Sequence, residues 1–309
     1  MKQAILKTLA YSDIFSFPLK KEEIWQYLIS SEKKPLKKEF EKSLRKLIKE
    51  KAVGKKGDFF YLKNRASFVK KRKSLEKTNQ KKLKIARRFA QKIKFIPWIK
   101  AILITGALAV SNAEDEDDID FLIVTSPKRL WLTRFLLIII AELSGVRRRP
   151  GQKNIKDKIC FNLFLSENSL KIPVKNQNLF TAHEIAQAKV IFEKDGTYEK
   201  FLNANLWVRK YLINAFSHQS PVPSHQQNNL KFENKKSLNY SITHLPVVAL
   251  AKSGLLNYFE KLAFLIQKEY MKPRRTREAV GQSSAFFHPK NRGKAILSNY
   301  TRKIRKMGV

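Results

Sequence analysis

The chain has 309 residues, 43% of them hydrophobic and 11% aromatic, which supplies genuine cores and excludes a disordered protein. Its 63 Lys and Arg against 26 Asp and Glu give a net charge of +37. Such a surface attracts nucleic acid, nucleotides or anionic lipid, although Lys-rich codon usage would give the same excess. The single cysteine, Cys160, excludes an internal disulfide framework and a multi-cysteine zinc site, and its place between Ile159 and Phe161 reads as a buried structural thiol.

Residues 1–17 lack the basic start, apolar stretch and small-residue site of a secretory signal, so a cytoplasmic protein is expected. Residues 1–63 read as a small unit. Ile5, Leu6, Leu9 and Ile14 have helical spacing, Phe17-Pro18 breaks it, and Ile24, Trp25, Tyr27 and Leu28 define a second helix. Phe40, Leu44, Leu47 and Ile48 define a third, followed by apolar flanks around Gly54-Lys55-Lys56-Gly57-Asp58 that read as a hairpin. Three helices plus a hairpin suit a winged-helix-like domain, with Lys37, Lys38, Lys42, Arg45, Lys46 and Lys49 on the helix that would enter a DNA groove. A winged helix used only for protein contacts is the plainer alternative.

Residues 64–97 read as a basic helical connector ended by Pro97. Residues 99–105 and 121–124 are apolar runs suited to buried strands, residues 131–143 to a helix, and residues 159–165 to a third strand. The run 130–145 contains Arg134 and Glu142 and is too short and too charged for a membrane span, so it reads as a buried helix; peripheral membrane association through it is a weaker alternative. Helical patterns recur at residues 201–216 and 255–271, separated by a polar stretch at 217–229.

The segment Glu114-Asp115-Glu116-Asp117-Asp118-Ile119-Asp120 holds six acids in a chain poor in them. Crowded carboxylates repel one another unless a cation gathers them, and a divalent metal is the natural candidate. Asp118 and Asp120 flank Ile119 at the head of a strand, so both can face one metal while Ile119 faces the core. Upstream, the strand at 99–105 runs into Gly106, where a missing side chain lets backbone amides approach phosphate.

Here the chain resembles the nucleotidyltransferase superfamily of the DNA polymerase beta type. The likeness rests on a strand, Gly106-Ala107, ten intervening residues, and Asp118-Ile119-Asp120, and it covers residues 98–165. The resemblance implies that Gly106 and Ala107 hold the triphosphate and that Asp118 and Asp120 bind Mg²⁺ or Mn²⁺. It also implies transfer of an NMP group from an NTP to a hydroxyl, with pyrophosphate leaving. Two departures stand out. Ala107 replaces the usual Ser, and the inward polar residue of the third strand is Asn162, where the family carries a third carboxylate. Glu116 can supplement the pair if the strand begins early.

Other residues have two readings. Thr181 and Glu184 fit an N-cap and its capping box, while His183 or Glu184 can instead reach the nucleotide or acceptor. Arg147-Arg148-Arg149 and the cluster from Lys272 to Arg277 suit phosphate, or a helix end and solvent. His218, His225, His244 and His288 lack metal-ligand spacing.

The expected protein is α+β, with a winged-helix-like domain at 1–63, a connector at 64–97, a nucleotidyltransferase core at 98–200 and a helical C-terminal region at 201–309. The expected function is Mg²⁺-dependent NMP transfer from an NTP, ATP among the candidates, to an unidentified hydroxyl on RNA, protein or a small molecule. The alternative is a non-catalytic nucleotide-sensing or DNA-binding regulator.

Overall fold

The computed structural model describes residues 1–30, 35–216, 254–272, 279–286 and 292–309. The stretch 217–229, residues 273–277 of the second basic cluster, and His218, His225, His244 and His288 lie outside the described residues. Those described form an α+β fold with two sheets.

The chain opens with α1 (Lys2–Asp13), β1 (Leu19–Lys20), α2 (Lys21–Gln26) and α3 (Lys37–Lys49). In α3, Phe40, Leu44 and Leu47 are buried and the six cations singled out above are exposed. Strands β2 (Val53–Lys56) and β3 (Phe59–Leu62) pair antiparallel, Lys56 opposite Phe59, which leaves Gly57-Asp58 as a two-residue turn. Gly57 has φ +59°, the positive angle that such tight hairpins require. β1 adds to the other edge of β3. Two residues carry no readable alternation, so nothing in the local pattern announces it.

Helix α4 (Ser67–Ile93) is more than a connector: it buries Asn79, Lys82, Phe89 and Ile93. It leads to a six-stranded sheet of β4 (Ile99–Ile104), β5 (Ile119–Thr125), β6 (Ile159–Ser166), β7 (Lys189–Glu193), β8 (Ala279–Val280) and β9 (Ser284–Phe286), in the order β7-β4-β5-β6-β9-β8. β5 and β6 are parallel, joined through α6 (Leu130–Leu143); the other pairs are antiparallel. Strand alternation divides the core in two. Ala101, Leu103, Leu122 and Val124 face a cluster that includes Ile5 and Leu9 of α1 and Phe40 of α3. Ile102, Ile104, Phe121 and Ile123 face α4 and α6. The N-terminal unit thus shares its core with the central sheet.

Three expectations change. The region 201–309 also contains β8 and β9, which extend the sheet beyond β6. The pattern at 201–216 does not form one helix: α8 (Thr197–Ala204) stops and a 3-10 turn, Leu206–Lys210, follows. Between them Asn205 is fully buried, and its amide bonds Ile172, Leu170, Phe201 and the Trp207 indole. Those bonds fix a non-helical corner that apolar spacing cannot show. Finally, α6 is only half buried, with Phe135, Ile139 and Leu143 exposed along one stripe. The helix Gly254–Met271 packs on α6 through Glu260 and Gln267. It leaves Leu255, Tyr258, Phe259, Leu262, Leu265 and Ile266 exposed. Among the described residues, no helix is long and apolar enough to cross a membrane.

Candidate functional site

β4 ends at a sharp turn into the short helix α5 (Gly106–Ala109). Gly106 has φ +65°, and a Cβ added there would meet Asp120 Oδ2 at 2.6 Å. Glycine is therefore required twice, for the backbone angle and for the carboxylate lying against it. The Thr105 N–H donates to the Asp120 carbonyl at 3.0 Å, which fixes the turn beside the head of β5. Asp118 and Asp120 flank the fully buried Ile119 and line one cavity of about 610 Å³, together with Gly106 and Ala107.

The acidic loop is largely neutralised by the protein's own cations. Lys71 pairs with Glu114 at 2.5 Å, and Lys156 pairs with Asp115 and, at 3.7 Å, with Glu116. Beneath the loop lies Lys82 of α4, whose side chain is 0% exposed. Its ammonium donates to the carbonyls of Asp115 and Asp117 and to the Asp157 carboxylate at 2.6–2.9 Å. Lys71 and Lys82 of the expected connector are thus part of the loop's construction. Glu116 does not join the site: β5 begins only at Ile119, and the Glu116 side chain is 78% exposed and turned toward Lys156.

On β6, Asp120 lies opposite Cys160 and Phe121 opposite Phe161, but Leu122 lies opposite Leu163. Asn162 is the extra residue of a β-bulge. It is buried and lines the cavity, yet the side chain level with Asp120 belongs to Cys160. The thiol and the carboxylate oxygens of Asp118 and Asp120 all lie within 4.8 Å of one another. Cys160 is therefore a site residue and not only a structural thiol. Burial, with Asp120 and Asp118 adding, pushes its pKa well above the usual thiol value. The strand period could have found it, since Cys160 is two residues before Asn162.

The arginine cluster divides. Arg147 and Arg149 pair with Glu142, while Arg148 turns inward to Asp118 and donates to the Cys160 sulfur at 3.5 Å. Among the described residues no cation forms an ion pair with Asp120. Burial, then the charges of Asp118 and Glu184, raises the Asp120 pKa to about 8, against the pull of Arg148 and Arg292.

Helix α7 (Leu179–Gln187) supplies two more site residues. Its N-cap is Asn178, which accepts the Thr181 N–H at 3.0 Å, so Thr181 and Glu184 do not form the capping box. Glu184 lies mid-helix. Burial raises its pKa to about 7, against the pull of Arg292 and of the Gly106 N–H beside it. His183 is buried, stacks on Tyr11 at 3.9 Å between ring centroids, and has its pKa lowered to about 3 by burial.

The donor set fits a divalent metal through its two carboxylates. Asp118 and Asp120 offer the hard oxygens that Mg²⁺ and Mn²⁺ prefer, whereas a protonated thiol adds little to either. Comparisons with known protein families, curated proteins and solved structures give no match.

Proposed function

We propose that the protein is a divalent-metal-dependent nucleotidyltransferase that moves an NMP group from an NTP to a hydroxyl acceptor. One observation carries this reading: the paired carboxylates Asp118 and Asp120 open onto the same cavity as the Gly106-Ala107 turn, with Asp120 against Gly106. Asp118 and Asp120 would hold Mg²⁺ or Mn²⁺. When bound, such an ion offsets phosphate charge and lowers the barrier to displacement at phosphorus. The acceptor oxygen would attack the α-phosphorus, the bond to the β-phosphate oxygen would break, and pyrophosphate would leave. Glu184 lines the same cavity and would take the hydroxyl proton, in the absence of a carboxylate at position 162. Arg148 and Arg292, which also line the cavity, would face the phosphates.

The test is incorporation of labelled NMP from each NTP with Mg²⁺ or Mn²⁺. Activity should vanish in the double variant Asp118→Asn, Asp120→Asn. Absence of NTP binding with any divalent ion would remove the enzyme reading.

A second reading, a nucleotide-sensing or DNA-binding regulator, is favoured by the thiol and amide where the third carboxylate is expected, and by the exposed cations of α3. Deleting residues 1–63 would not test it, because Ile5 and Leu9 belong to the core of the central sheet. Lys42→Glu with Arg45→Glu and Lys46→Glu leaves that core intact. A salt-dependent shift of duplex DNA that these changes abolish supports the regulator; no shift by the unaltered protein counts against it.

A further inference from the structure

The cavity does not end at the carboxylates. It continues against the N-terminal unit, where Tyr11 of α1, Phe15 just after it, Tyr27 beyond α2 and Phe180 of α7 form an aromatic wall. Its volume of about 610 Å³ falls within the range of about 300–1,000 Å³ typical of small-molecule sites.

Among the described residues, two buried polar atoms on this wall lack partners. The Gln187 side-chain amide donates to His183 Nδ1 at 3.3 Å, so in the neutral ring Nε2 carries the proton. That Nε2–H has no acceptor. Asn112 donates through Nδ2 to the Phe15 carbonyl at 3.1 Å, and its Oδ1 has no donor. The two residues are linked along the wall, since Phe15 packs on Tyr11 and Tyr11 stacks on His183. A buried orphan is unfavourable unless something satisfies it. One is a donor and the other an acceptor.

Nucleobases present donors and acceptors along one edge of a flat apolar ring and are read by aromatic faces and hydrogen bonds to that edge. We propose that this aromatic compartment seats the base of the nucleotide, with His183 Nε2–H donating to a ring nitrogen or carbonyl and Asn112 Oδ1 accepting from a base N–H. The N-terminal unit then serves as one wall of the substrate site. This assignment rests on the nucleotidyltransferase reading.

The experiment compares nucleoside triphosphates with inorganic triphosphate by calorimetry, with Mg²⁺ and at fixed salt. At least one nucleoside triphosphate should bind tenfold or more tightly than inorganic triphosphate. His183→Phe, which keeps a ring against Tyr11 but removes the donor, should erase most of that difference, and Asn112→Leu should reduce it. Equal binding of all four nucleoside triphosphates and inorganic triphosphate by the unaltered protein overturns the base site alone and leaves the metal and phosphate reading standing. A base preference that survives both substitutions also overturns it. Failure of every triphosphate to bind removes both.

Discussion

The Glu184 carboxyl lies beside the backbone N–H of Gly106, so the amide at the β4 turn already faces an acidic group of the protein's own. A phosphate arriving at that amide must displace the carboxylate or tolerate its charge. Glu184→Gln should therefore tighten binding of inorganic triphosphate with Mg²⁺ by about fivefold, on the order of 1 kcal/mol. NMP transfer should fall by tenfold or more if Glu184 takes the hydroxyl proton. Weaker triphosphate binding in that variant would show that Glu184 supports the anion and does not oppose it.

Gly106→Ala places a methyl group 2.6 Å from Asp120 Oδ2 at a φ of +65°. The backbone angle alone costs roughly 1–2 kcal/mol, and the carboxylate must also move. We expect a lower Tm and a loss of Mg²⁺ or Mn²⁺ binding by tenfold or more, read by thermal denaturation and metal titration. A variant with normal metal affinity would contradict the placement of Asp120 against the turn.

His183 gives a pH dependence with a definite sign. Its folded pKa is about 3 against an ordinary 6.5, so below pH 6.5 the unfolded chain binds the proton and the folded protein does not. Stability is fully present above pH 6.5 and falls as pH drops toward 3. Denaturant melts of the parent and His183→Phe across this window should diverge, with the variant losing less stability on acidification. Parallel profiles would place the imidazole in contact with solvent.

Lys82 is the only buried cation among the described residues whose ammonium gathers the acidic loop from below, through Asp115, Asp117 and Asp157. Lys82→Met should cost roughly 1–3 kcal/mol, because the Asp115 and Asp117 carbonyls lose the buried ammonium, while Asp157 keeps Lys81 at 2.8 Å. A change within about 0.5 kcal/mol, the range of an ordinary surface substitution, would refute the buried arrangement.

Glu260 accepts the Trp131 and Leu132 N–H groups at 2.8 and 2.7 Å, closing the first turn of α6 from a neighbouring helix. Glu260→Ala should cost about 0.5–2 kcal/mol, as loss of an N-cap does, with Glu260→Gln intermediate. Equilibrium denaturation measures both; equal stability of all three proteins would remove the cap.

Much of the central sheet is legible because β4, β5 and β6 are long apolar runs, buried on both faces in the case of β4 and β5. β7, β8 and β9 escape notice since they are short and exist through pairing with strands far away in sequence. In the site, Gly106, Asp118 and Asp120 follow from local spacing. Cys160 lies opposite Asp120, two residues before Asn162, and strand period alone reaches it; the bulge at Asn162, which shifts the register beyond Phe121, has no local signal. Arg148 differs from its two neighbours only in which way the chain turns it. Tyr11, Phe15 and Tyr27 come to the cavity through long-range packing of the N-terminal unit, and apolar periodicity marks only Tyr27 of the three, as part of a helix.

The lysines around the acidic loop bear on what ion binding costs. Ordering a backbone residue takes about 1–2 kcal/mol of entropy, which a loose acidic loop would charge against any cation it captured. Here Lys82 and the Asn79 side chain, which bonds the Ala113 N–H and carbonyl, tie the loop to α4 beforehand. An ion at Asp118 and Asp120 therefore meets a frame already set, and its affinity reflects its competition with Arg148 and protons and not the folding of the loop. Amide exchange at Ala113, Glu114, Asp117 and Ile119, whose N–H groups are bonded, should be slow in chelator and change little when Mg²⁺ is added.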